Sequence, residues 1–249
     1  MMNVLITAGG TSEPIDSVRS ISNTGTGKLG SLIADEFVLQ DSENVRVFYI
    51  GSHSAFRPQS KNVSCIEIGN VSELQTAVTD LMKRHSVDAV IHSMAVSDYR
   101  VRSVTTTQRL TEYLQNRDVH STYDETDIYN ALTESDIREK TGKISSQFGS
   151  PLILLEQTPK ILPMFRQMLP DAVIVGFKLL SQVSQKELID TAYGLLVKNG
   201  CNLVLANDSS QITCDQHKGY LIDTNKNVQT FCTKQEIAKG IVEAIMKRG

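Results

Sequence analysis

The sequence has no excess of basic residues and no long apolar run. Its 25 lysines and arginines are outnumbered by 28 acidic residues, which gives a formal net charge of -3, so it lacks the positive field that holds a nucleic-acid backbone. No apolar stretch is long enough to span a bilayer, and the N-terminus enters a strand pattern without the features of a signal peptide. We therefore predict a cytoplasmic protein that binds neither nucleic acid nor membrane.

Cysteine is scarce, and several hydrolase motifs are missing. The four cysteines form no CxxC pair and have no neighbours at zinc-ligand spacing. They are Cys65, Cys201, Cys214 and Cys232. The five histidines form no HExxH motif, and the chain has neither a GxSxG elbow nor a P-loop. These absences exclude zinc and hydrolase chemistry and indicate free thiols in a reducing compartment.

What is present is an alternation of strand and helix patterns. Apolar residues make up 40% of the 249 residues, which is ordinary for a globular protein, so we predict one domain over residues 1–249. The alternation ends in a hairpin pattern at 220–231. It predicts an α/β fold with a doubly wound, mostly parallel, Rossmann-like sheet and an antiparallel hairpin at the C-terminal edge. Residues 101–139 show no clean strand or helix period, and we expect an insertion or flap there.

Two polar clusters predict where later helices begin. Ser184 with Glu187 has the spacing of a helix cap. Thr158 followed by Pro159 has the pattern of a cap and a first-turn proline. Helices are therefore expected to begin directly after Ser184 and directly after Thr158.

The stretch VLITAGGTSEPIDSVRSISNTGTGKLG, residues 4–30, carries the strongest functional signal. A predicted strand stops at Gly9-Gly10-Thr11, and a polar loop that contains Arg19 and Asn23 precedes the next helix pattern. Open α/β sheets build phosphate sites where a strand ends in glycines and a helix N-terminus follows. Periodic core packing does not explain Arg19 and Asn23, whereas turn chemistry explains Asn23 as well as function does.

Gly25, Gly27 and Gly30 complete a GxGxxG pattern, which is typical of dinucleotide-binding proteins. Here a long loop separates it from the first strand, so it predicts either a phosphate-binding helix N-terminus of another geometry or plain packing at a helix start. The second predicted strand ends at Ser52 without the acid that binds an NAD ribose, and no tyrosine has a lysine four residues later. An NAD(P)-dependent reductase is disfavoured but stays an alternative, as does a non-catalytic nucleotide-sensing module.

Four further residues stand near predicted strand ends or in polar segments. Asp98 follows the central strand, where a carboxylate can bind a ribose, a base edge or a metal, or cap a loop. Asn207 closes a later strand, and the pattern around Phe177 favours a core residue over a ligand-stacking one. Lys143 can neutralise phosphate charge, although solvated lysines are commoner. We expect Asp98 and Asn207 at the binding edge of the sheet, because the carboxyl ends of parallel strands share that edge.

Six motifs follow one another along nearly the whole chain. They are TAGGTSEPIDSVRSISNTGTG, AVSDYR, GKIS, TPKIL, VGFK and ANDSSQ. In this order and at these sheet positions they resemble the phosphopantothenate–cysteine ligase family, which acts in coenzyme A synthesis. Because no flavin-binding decarboxylase domain precedes them, the chain looks like the free-standing bacterial form, which uses CTP.

The resemblance implies a two-step ligation. The carboxylate of 4'-phosphopantothenate attacks the α-phosphate of CTP, with Mg²⁺, to give an acyl cytidylate and pyrophosphate, and the amine of cysteine then displaces CMP. The resemblance gives catalytic roles to Asn23, Arg19 and Lys143, assigns no metal ligands, and implies a possible homodimer. The nucleotide-binding positions that it implies are Gly9, Gly10, Thr11, Gly25, Gly27, Ala95, Asp98, Phe177 and Asn207.

The chain departs from the family pattern at three places. Ser145 and Ser146 stand where the family usually has two more lysines after Lys143. Met94 and Ser97 replace alanines of the AAVADYR pattern. Residues 101–139 form a longer connection than in the fused bacterial enzymes, which is consistent with a lid or an altered dimer contact.

Overall fold

The computed structural model describes residues 1–116, 122–138, 142–213 and 216–248. These residues form twelve strands and seven helices. The strands are β1 (Met2–Ala8), β2 (Ser12–Pro14), β3 (Ser20–Ser22), β4 (Val45–Ser52), β5 (Val63–Ile68), β6 (Ala89–His92), β7 (Tyr99–Thr106), β8 (Pro151–Gln157), β9 (Val173–Leu180), β10 (Leu203–Ile212), β11 (His217–Asp223) and β12 (Val228–Phe231). The helices are α1 (Lys28–Gln40), α2 (Val71–Arg84), α3 (Thr107–Gln115), α4 (Glu125–Glu134), α5 (Ile161–Met168), α6 (Gln185–Asn199) and α7 (Lys234–Met246).

The chain divides into two compact units, each built from segments that are distant in sequence. The larger unit consists of Met1–Thr11, Thr24–Val96 and Lys160–Gly249. The smaller unit consists of Ser12–Asn23 and Ser97–Pro159. The expectation of one domain over residues 1–249, with an insertion or flap at 101–139, stays a prediction.

Eight strands of the larger unit form one sheet in the order β5-β4-β1-β6-β9-β10-β11-β12. The first six are parallel to one another, and β11 pairs antiparallel with both β10 and β12. Counted along the chain, the parallel strands stand in the order third, second, first, fourth, fifth and sixth, which is the doubly wound order. The predicted Rossmann-like sheet with an antiparallel hairpin at its C-terminal edge is confirmed.

The strand order reverses between β1 and β6. β1 pairs with β4 on one side and with β6 on the other, parallel to both. At such a reversal the loops that follow the two central strands diverge and leave a crevice at their carboxyl ends. In this sheet the crevice lies beyond Ala8 and His92, the last residues of β1 and β6.

Helices cover both faces of the sheet. In β1, Val4 and Ile6 belong to an apolar cluster with α1 and α7, whereas Leu5 belongs to a second cluster with α2, α5 and α6. All three side chains are fully buried, because neighbouring residues of a strand point to opposite faces and both faces are covered. This two-sided core fixes the strand ends from which the crevice loops leave.

One of the two predicted helix starts is confirmed and the other is wrong. Oγ of Ser184 accepts a hydrogen bond from the N–H of Glu187 at 3.2 Å, as a cap of α6 does. α5 begins at Ile161, with Lys160 as its N-cap. The hydroxyl of Thr158 instead donates to the carbonyl of Ser97 at 2.5 Å, so a tertiary partner replaces the local cap.

The smaller unit contains two antiparallel strand pairs, β7 with β8 and β2 with β3, together with α3 and α4. Its apolar cluster is small. Val104, Ile137 and Ile144 are its buried members, and Ile15 and Val101 pack against them. The unit therefore depends less on apolar burial than the larger one does.

Residues 101–139 contain regular structure that their sequence pattern did not predict. Most of β7 and the whole of α3 and α4 lie in this segment, and Glu139 lies outside the described residues. α3 has no buried residue, and α4 has only Ala131. Neither helix needs the broad apolar stripe by which a helix is recognised in a sequence, which explains why the sequence pattern of this segment indicated no helix.

Three of the four cysteines are described. Cys65, Cys201 and Cys232 are free thiols, and Cys214 lies outside the described residues. Among the helices of the described segments, none combines the length and the apolar character needed to cross a bilayer.

Candidate functional site

A pocket of about 460 Å³ opens in the larger unit at the carboxyl ends of β1 and β6. Gly9 and the segments 24–30, 93–95 and 177–179 form most of its wall. Side chains from β10, β11 and α7 complete it, and they are Asn207, Ile212, His217 and Lys234. The pocket occupies the crevice that a reversal of strand order creates, and its size is typical of a small-molecule site.

Backbone segments approach one another closely at the glycines of the pocket. A Cβ atom on Gly25 would lie 2.3 Å from the carbonyl oxygen of Gly9, and one on Gly30 would lie 2.5 Å from Cβ of Ala8. Gly9 and Gly27 have φ values of 94° and 71°, in the left-handed region that favours glycine. Glycine therefore lets the loop before α1 pack on the end of β1 and at the same time line the pocket.

Hydrogen bonds hold the end of β1 to its neighbours. The N–H of Ala95 donates to the carbonyl of Gly9 at 2.9 Å, and the N–H of Thr11 donates to the carbonyl of Ala95 at 3.1 Å. The N–H of Gly10 donates to Oγ of Ser52 at 3.2 Å. The structure thus brings these four predicted positions together, with Gly9 and Ala95 lining the pocket and Gly10 and Thr11 buried.

The pocket wall is positively charged. Lys28, Lys178 and Lys234 line it, and no acidic residue does so among the described residues. α1 begins beside the pocket with Gly27 as its N-cap, and its first turn has neither a side-chain cap within the described segments nor an acidic residue. The first N–H groups of a helix and the positive end of its dipole favour anions. This side of the pocket is therefore suited to phosphate groups.

The remaining wall includes neutral side chains. Nδ2 of Asn207 donates to Nε2 of His217, and each residue is 6% exposed. Burial, assisted by the positive charge of Lys234, lowers the pKa of His217 to about 4, so the ring is neutral near pH 7. Phe177 packs against the core cluster and also lines the pocket, which reconciles the core and ligand interpretations of that residue.

A buried polar pair connects the two central strands behind the pocket. Oγ1 of Thr7 lies 2.7 Å from Nδ1 of His92, and the two residues are partners in the register of β1 and β6. The hydroxyl of Ser93, which lines the pocket, donates to the carbonyl of Thr7 at 2.7 Å. Burial lowers the pKa of His92 to about 4. These contacts fix the start of the 93–95 segment.

Four of the predicted site residues lie in the smaller unit. They are Arg19, Asn23, Asp98 and Lys143. The guanidinium of Arg19 is hydrogen-bonded to Asp16, and its Nη2 donates to the carbonyl of Ile144 at 2.8 Å. The Arg19 side chain holds the pKa of the Asp16 carboxyl well below its usual range. Arg19 thereby fixes the residue that follows Lys143.

The other three predicted site residues of the smaller unit differ in how exposed they are. Asp98 and Lys143 are exposed, and Asn23 is half-buried and directly precedes Thr24, which lines the pocket of the larger unit. The carbonyl of Asp98 accepts a hydrogen bond from the N–H of Thr158 at 3.0 Å. Within the described segments, no group of three or more His, Cys, Asp or Glu side chains is placed to hold a metal ion.

Sequence reasoning missed the four ionisable residues of the pocket wall, which are Lys28, Lys178, His217 and Lys234. Lys28 lies within the GxGxxG pattern, so that pattern contained a signal for it. Lys178 follows Phe177 in the VGFK motif, so that motif contained a signal for it. His217 and Lys234 had none, because β11 and α7 reach the pocket only through the order of strands in the sheet.

Comparison with known proteins identifies a matching family model and several relatives. The model is described as the DNA/pantothenate metabolism flavoprotein C-terminal domain and matches residues 1–141 and 119–248. The coenzyme A biosynthesis bifunctional protein CoaBC of Thermococcus kodakarensis is 30% identical over 247 residues, which are 98% of this chain and 51% of that protein. The chain thus spans about half the length of the curated relatives that it matches most strongly.

Several solved structures resemble this fold, including two at 34% and 16% identity. The DNA/pantothenate metabolism flavoprotein from Streptococcus pneumoniae is 34% identical, with a TM-score of 0.83 and complete coverage of both chains. A Cab2 mutant in complex with phosphopantothenate-cysteine is 16% identical, with a TM-score of 0.68, and the match covers 99% of this chain and 86% of that one. At that identity the second likeness shows the fold alone.

Proposed function

The chain belongs to the family of DNA/pantothenate metabolism flavoprotein C-terminal domains, and from that premise we propose that it joins 4'-phosphopantothenate to L-cysteine with CTP as co-substrate. The products are 4'-phosphopantothenoylcysteine, CMP and pyrophosphate, so the reaction is a step of coenzyme A biosynthesis. The resemblance predicted from the six sequence motifs is confirmed at the level of the family.

The observation that carries the proposal is the charge pattern of the pocket in the larger unit. Its lysines and the N-terminus of α1 supply positive charge for a triphosphate. Phe177 and Asn207 supply an aromatic face and a neutral hydrogen-bonding group for a nucleoside. The combination supports a nucleotide as the occupant of this pocket.

The first proposed step activates a carboxylate. A carboxylate oxygen of 4'-phosphopantothenate attacks the α-phosphorus of CTP, and the bond from that phosphorus to the bridging oxygen breaks, so pyrophosphate leaves with the electron pair. Two anions must approach each other, and the step therefore needs cations near the phosphates. In the second step the cysteine nitrogen attacks the acyl carbon, loses a proton, and CMP leaves with the electron pair of the anhydride bond.

The roles of Asn23 and Lys143 rest on their positions in the motifs. We assign Lys143 to the phosphates and Asn23 to the acyl oxygen, because a neutral amide donates a hydrogen bond without protonating the incoming amine. Arg19 contributes by fixing the segment beside Lys143, and Asp98 is assigned to the cytidine. Mg²⁺ would enter bound to the triphosphate, since this ion keeps several waters and is held largely by substrate phosphates. The homodimer and the cytoplasmic location stay predictions.

A coupled assay tests the proposal. The protein is incubated with CTP, Mg²⁺, 4'-phosphopantothenate and cysteine, and pyrophosphate, CMP and the amide product are measured. All three should appear in equal amounts, and omission of 4'-phosphopantothenate should abolish the release of pyrophosphate. A parallel reaction with ATP decides the preferred nucleotide. The proposal is wrong if neither nucleotide releases pyrophosphate.

An NAD(P)-dependent reductase and a nucleotide-sensing module would each give a different result with CTP from the proposed ligase. Dinucleotide-binding proteins carry a ribose-binding acid at the end of the second strand, whereas here Ser52 ends β4 and accepts a hydrogen bond from Gly10. This arrangement disfavours an NAD(P)-dependent reductase, which would bind NAD(P)H and leave CTP intact. A nucleotide-sensing module would bind CTP without releasing pyrophosphate.

A further inference from the structure

His217, a residue of the pocket wall, has a ring nitrogen without a hydrogen-bond partner among the described residues. The residue is 6% exposed and lines the pocket together with Asn207. Its Nε2 accepts a hydrogen bond from Nδ2 of Asn207. Its Nδ1 is buried and has no hydrogen-bond partner within the described residues. Since buried polar atoms in proteins almost always have a partner, this atom points to a ligand or an ordered water.

The hydrogen bond from Asn207 determines the tautomer of the ring. An amide nitrogen donates and does not accept, so Nε2 of His217 must hold a lone pair. The proton of the neutral ring then lies on Nδ1. Burial and the nearby Lys234 keep the ring neutral by lowering its pKa to about 4. Nδ1–H is therefore an uncharged donor for which the described part of the chain supplies no acceptor.

We infer that Nδ1–H of His217 donates a hydrogen bond to an oxygen of the nucleoside half of bound CTP, either the cytosine carbonyl or a ribose hydroxyl. This inference rests on the proposed function, because it takes CTP as the occupant of the pocket. The N-terminus of α1 already offers N–H groups to the phosphates, whereas Phe177, Ile212 and Asn207 share the wall with His217 and carry no charge. Lys234 is the charged side chain of the wall that acts on the ring. A neutral donor that a ligand must satisfy contributes to discrimination between ligands.

Two substitutions of His217 distinguish the contribution of Nδ1 to CTP binding from that of Nε2. His217→Gln places its amide near the position of Nε2, so it can keep the contact with Asn207 but has no donor at Nδ1. His217→Asn places an amide nitrogen near Nδ1 and gives up the contact with Asn207. His85→Gln is the matched control, because His85 follows the last residue of α2 and is not part of the pocket wall.

Calorimetric titration with CTP measures the effect. His217→Gln should raise the Kd for CTP by about 3- to 10-fold, the loss expected for one neutral hydrogen bond. His217→Asn should raise it less, and His85→Gln should leave it unchanged. Tripolyphosphate should bind all variants with the affinity of the wild type. An unchanged Kd for CTP in folded His217→Gln overturns the inference, and so does a greater loss in His217→Asn or an equal loss of tripolyphosphate affinity.

Deoxycytidine triphosphate distinguishes the two possible acceptors. If Nδ1–H bonds the 2'-hydroxyl, the wild type should prefer CTP to the deoxynucleotide and His217→Gln should lose that preference. If it bonds the cytosine carbonyl or the 3'-hydroxyl, the substitution should weaken both nucleotides equally. Either result supports a nucleoside contact.

Nuclear magnetic resonance provides a test that uses only the wild-type protein, so its result does not depend on whether a variant folds. In protein labelled with ¹⁵N at histidine, the Nδ1–H signal of His217 should shift downfield and exchange more slowly when CTP is added. A signal that does not respond to bound CTP overturns the inference. If CTP shifts this signal but no pyrophosphate is released, the proposed function fails and the contact stands. If pyrophosphate is released without a shift, only the contact fails.

Discussion

The carboxylate of Asp16 accepts a hydrogen bond at 3.0 Å from the N–H of Ile144, which lies 128 residues further along the chain. The same carboxylate accepts the N–H groups of Val18 and Arg19 at 3.0 and 2.8 Å, and its side chain is 1% exposed. Charge-assisted hydrogen bonds of this kind are strong and directional. They join the first polar loop to the residue that follows Lys143.

Asp16→Asn should lower kcat by roughly tenfold and change KM little, because Lys143 loses a fixed neighbour and small misplacements of a reacting group are costly. Initial rates of pyrophosphate release measure the effect. Asp190→Asn is the control, since the exposed pair of Asp190 with Lys226 contributes little. An unchanged kcat in Asp16→Asn would show that this contact does not position Lys143.

Asn23→Asp should slow amide formation by about 100-fold and slow pyrophosphate release much less, because a carboxylate cannot donate to the acyl oxygen and repels the charge that develops on it. Rapid quenching separates the two steps by following pyrophosphate and the amide product. Asn225→Asp, in the exposed turn before β12, should change neither. The assigned role is wrong if both steps keep their rates in Asn23→Asp.

Gly25→Ala should destabilise the protein by about 1–3 kcal/mol and weaken CTP binding, because its Cβ would overlap the carbonyl of Gly9. Gly194→Ala in α6 is the control, since no atom lies within 4 Å of a Cβ at that position. This control should gain about 0.5–1 kcal/mol, because alanine favours the helix. Urea denaturation and CTP titration measure the two effects. Equal stability of the two variants would contradict the close approach at Gly25.

Lys234→Met should raise the KM for CTP several-fold, because it removes positive charge from the pocket wall. Lys239→Met is matched to it, since Lys239 lies on the same helix at an exposed position outside the pocket lining. Steady-state kinetics at low ionic strength compare the two variants. A similar KM for both would mean that Lys234 does not contact the nucleotide.

The free energy of unfolding should fall as the pH decreases from about 6.5 towards 4. His92 and His217 have folded pKa values of about 4, below the unfolded value of about 6.5, so the unfolded chain takes up protons first. For each of the two histidines, this protonation lowers the free energy of unfolding by at most about 1.4 kcal/mol for every unit by which the pH falls. Above pH 7 neither histidine has an effect, because both are neutral in the folded and the unfolded chain. Urea denaturation between pH 7.5 and 4.5 measures the slope, and His217→Gln should reduce it. A flat profile over that range would contradict the burial of both rings as neutral groups.

Local patterns predicted those elements whose partners are close in sequence. Ser184 caps α6 through Glu187, three residues later. Thr158 has an equally good local pattern, but its hydroxyl bonds the carbonyl of Ser97, 61 residues earlier. α3 and α4 were missed because they bury almost no apolar side chains. A sequence pattern reports local propensity and burial, and it does not report which distant group competes for a side chain.

The sequence by itself determined the alternation of strands and helices, the glycines at the end of β1 and the family resemblance, because each depends on residues that are close along the chain. The tertiary structure decided that Arg19 is paired with Asp16 and Ile144, and that His217 and Lys234 join Gly9 at one pocket. Strand order brought these last residues together. The physical reason is that the sheet, and not the chain, sets which strand ends are neighbours.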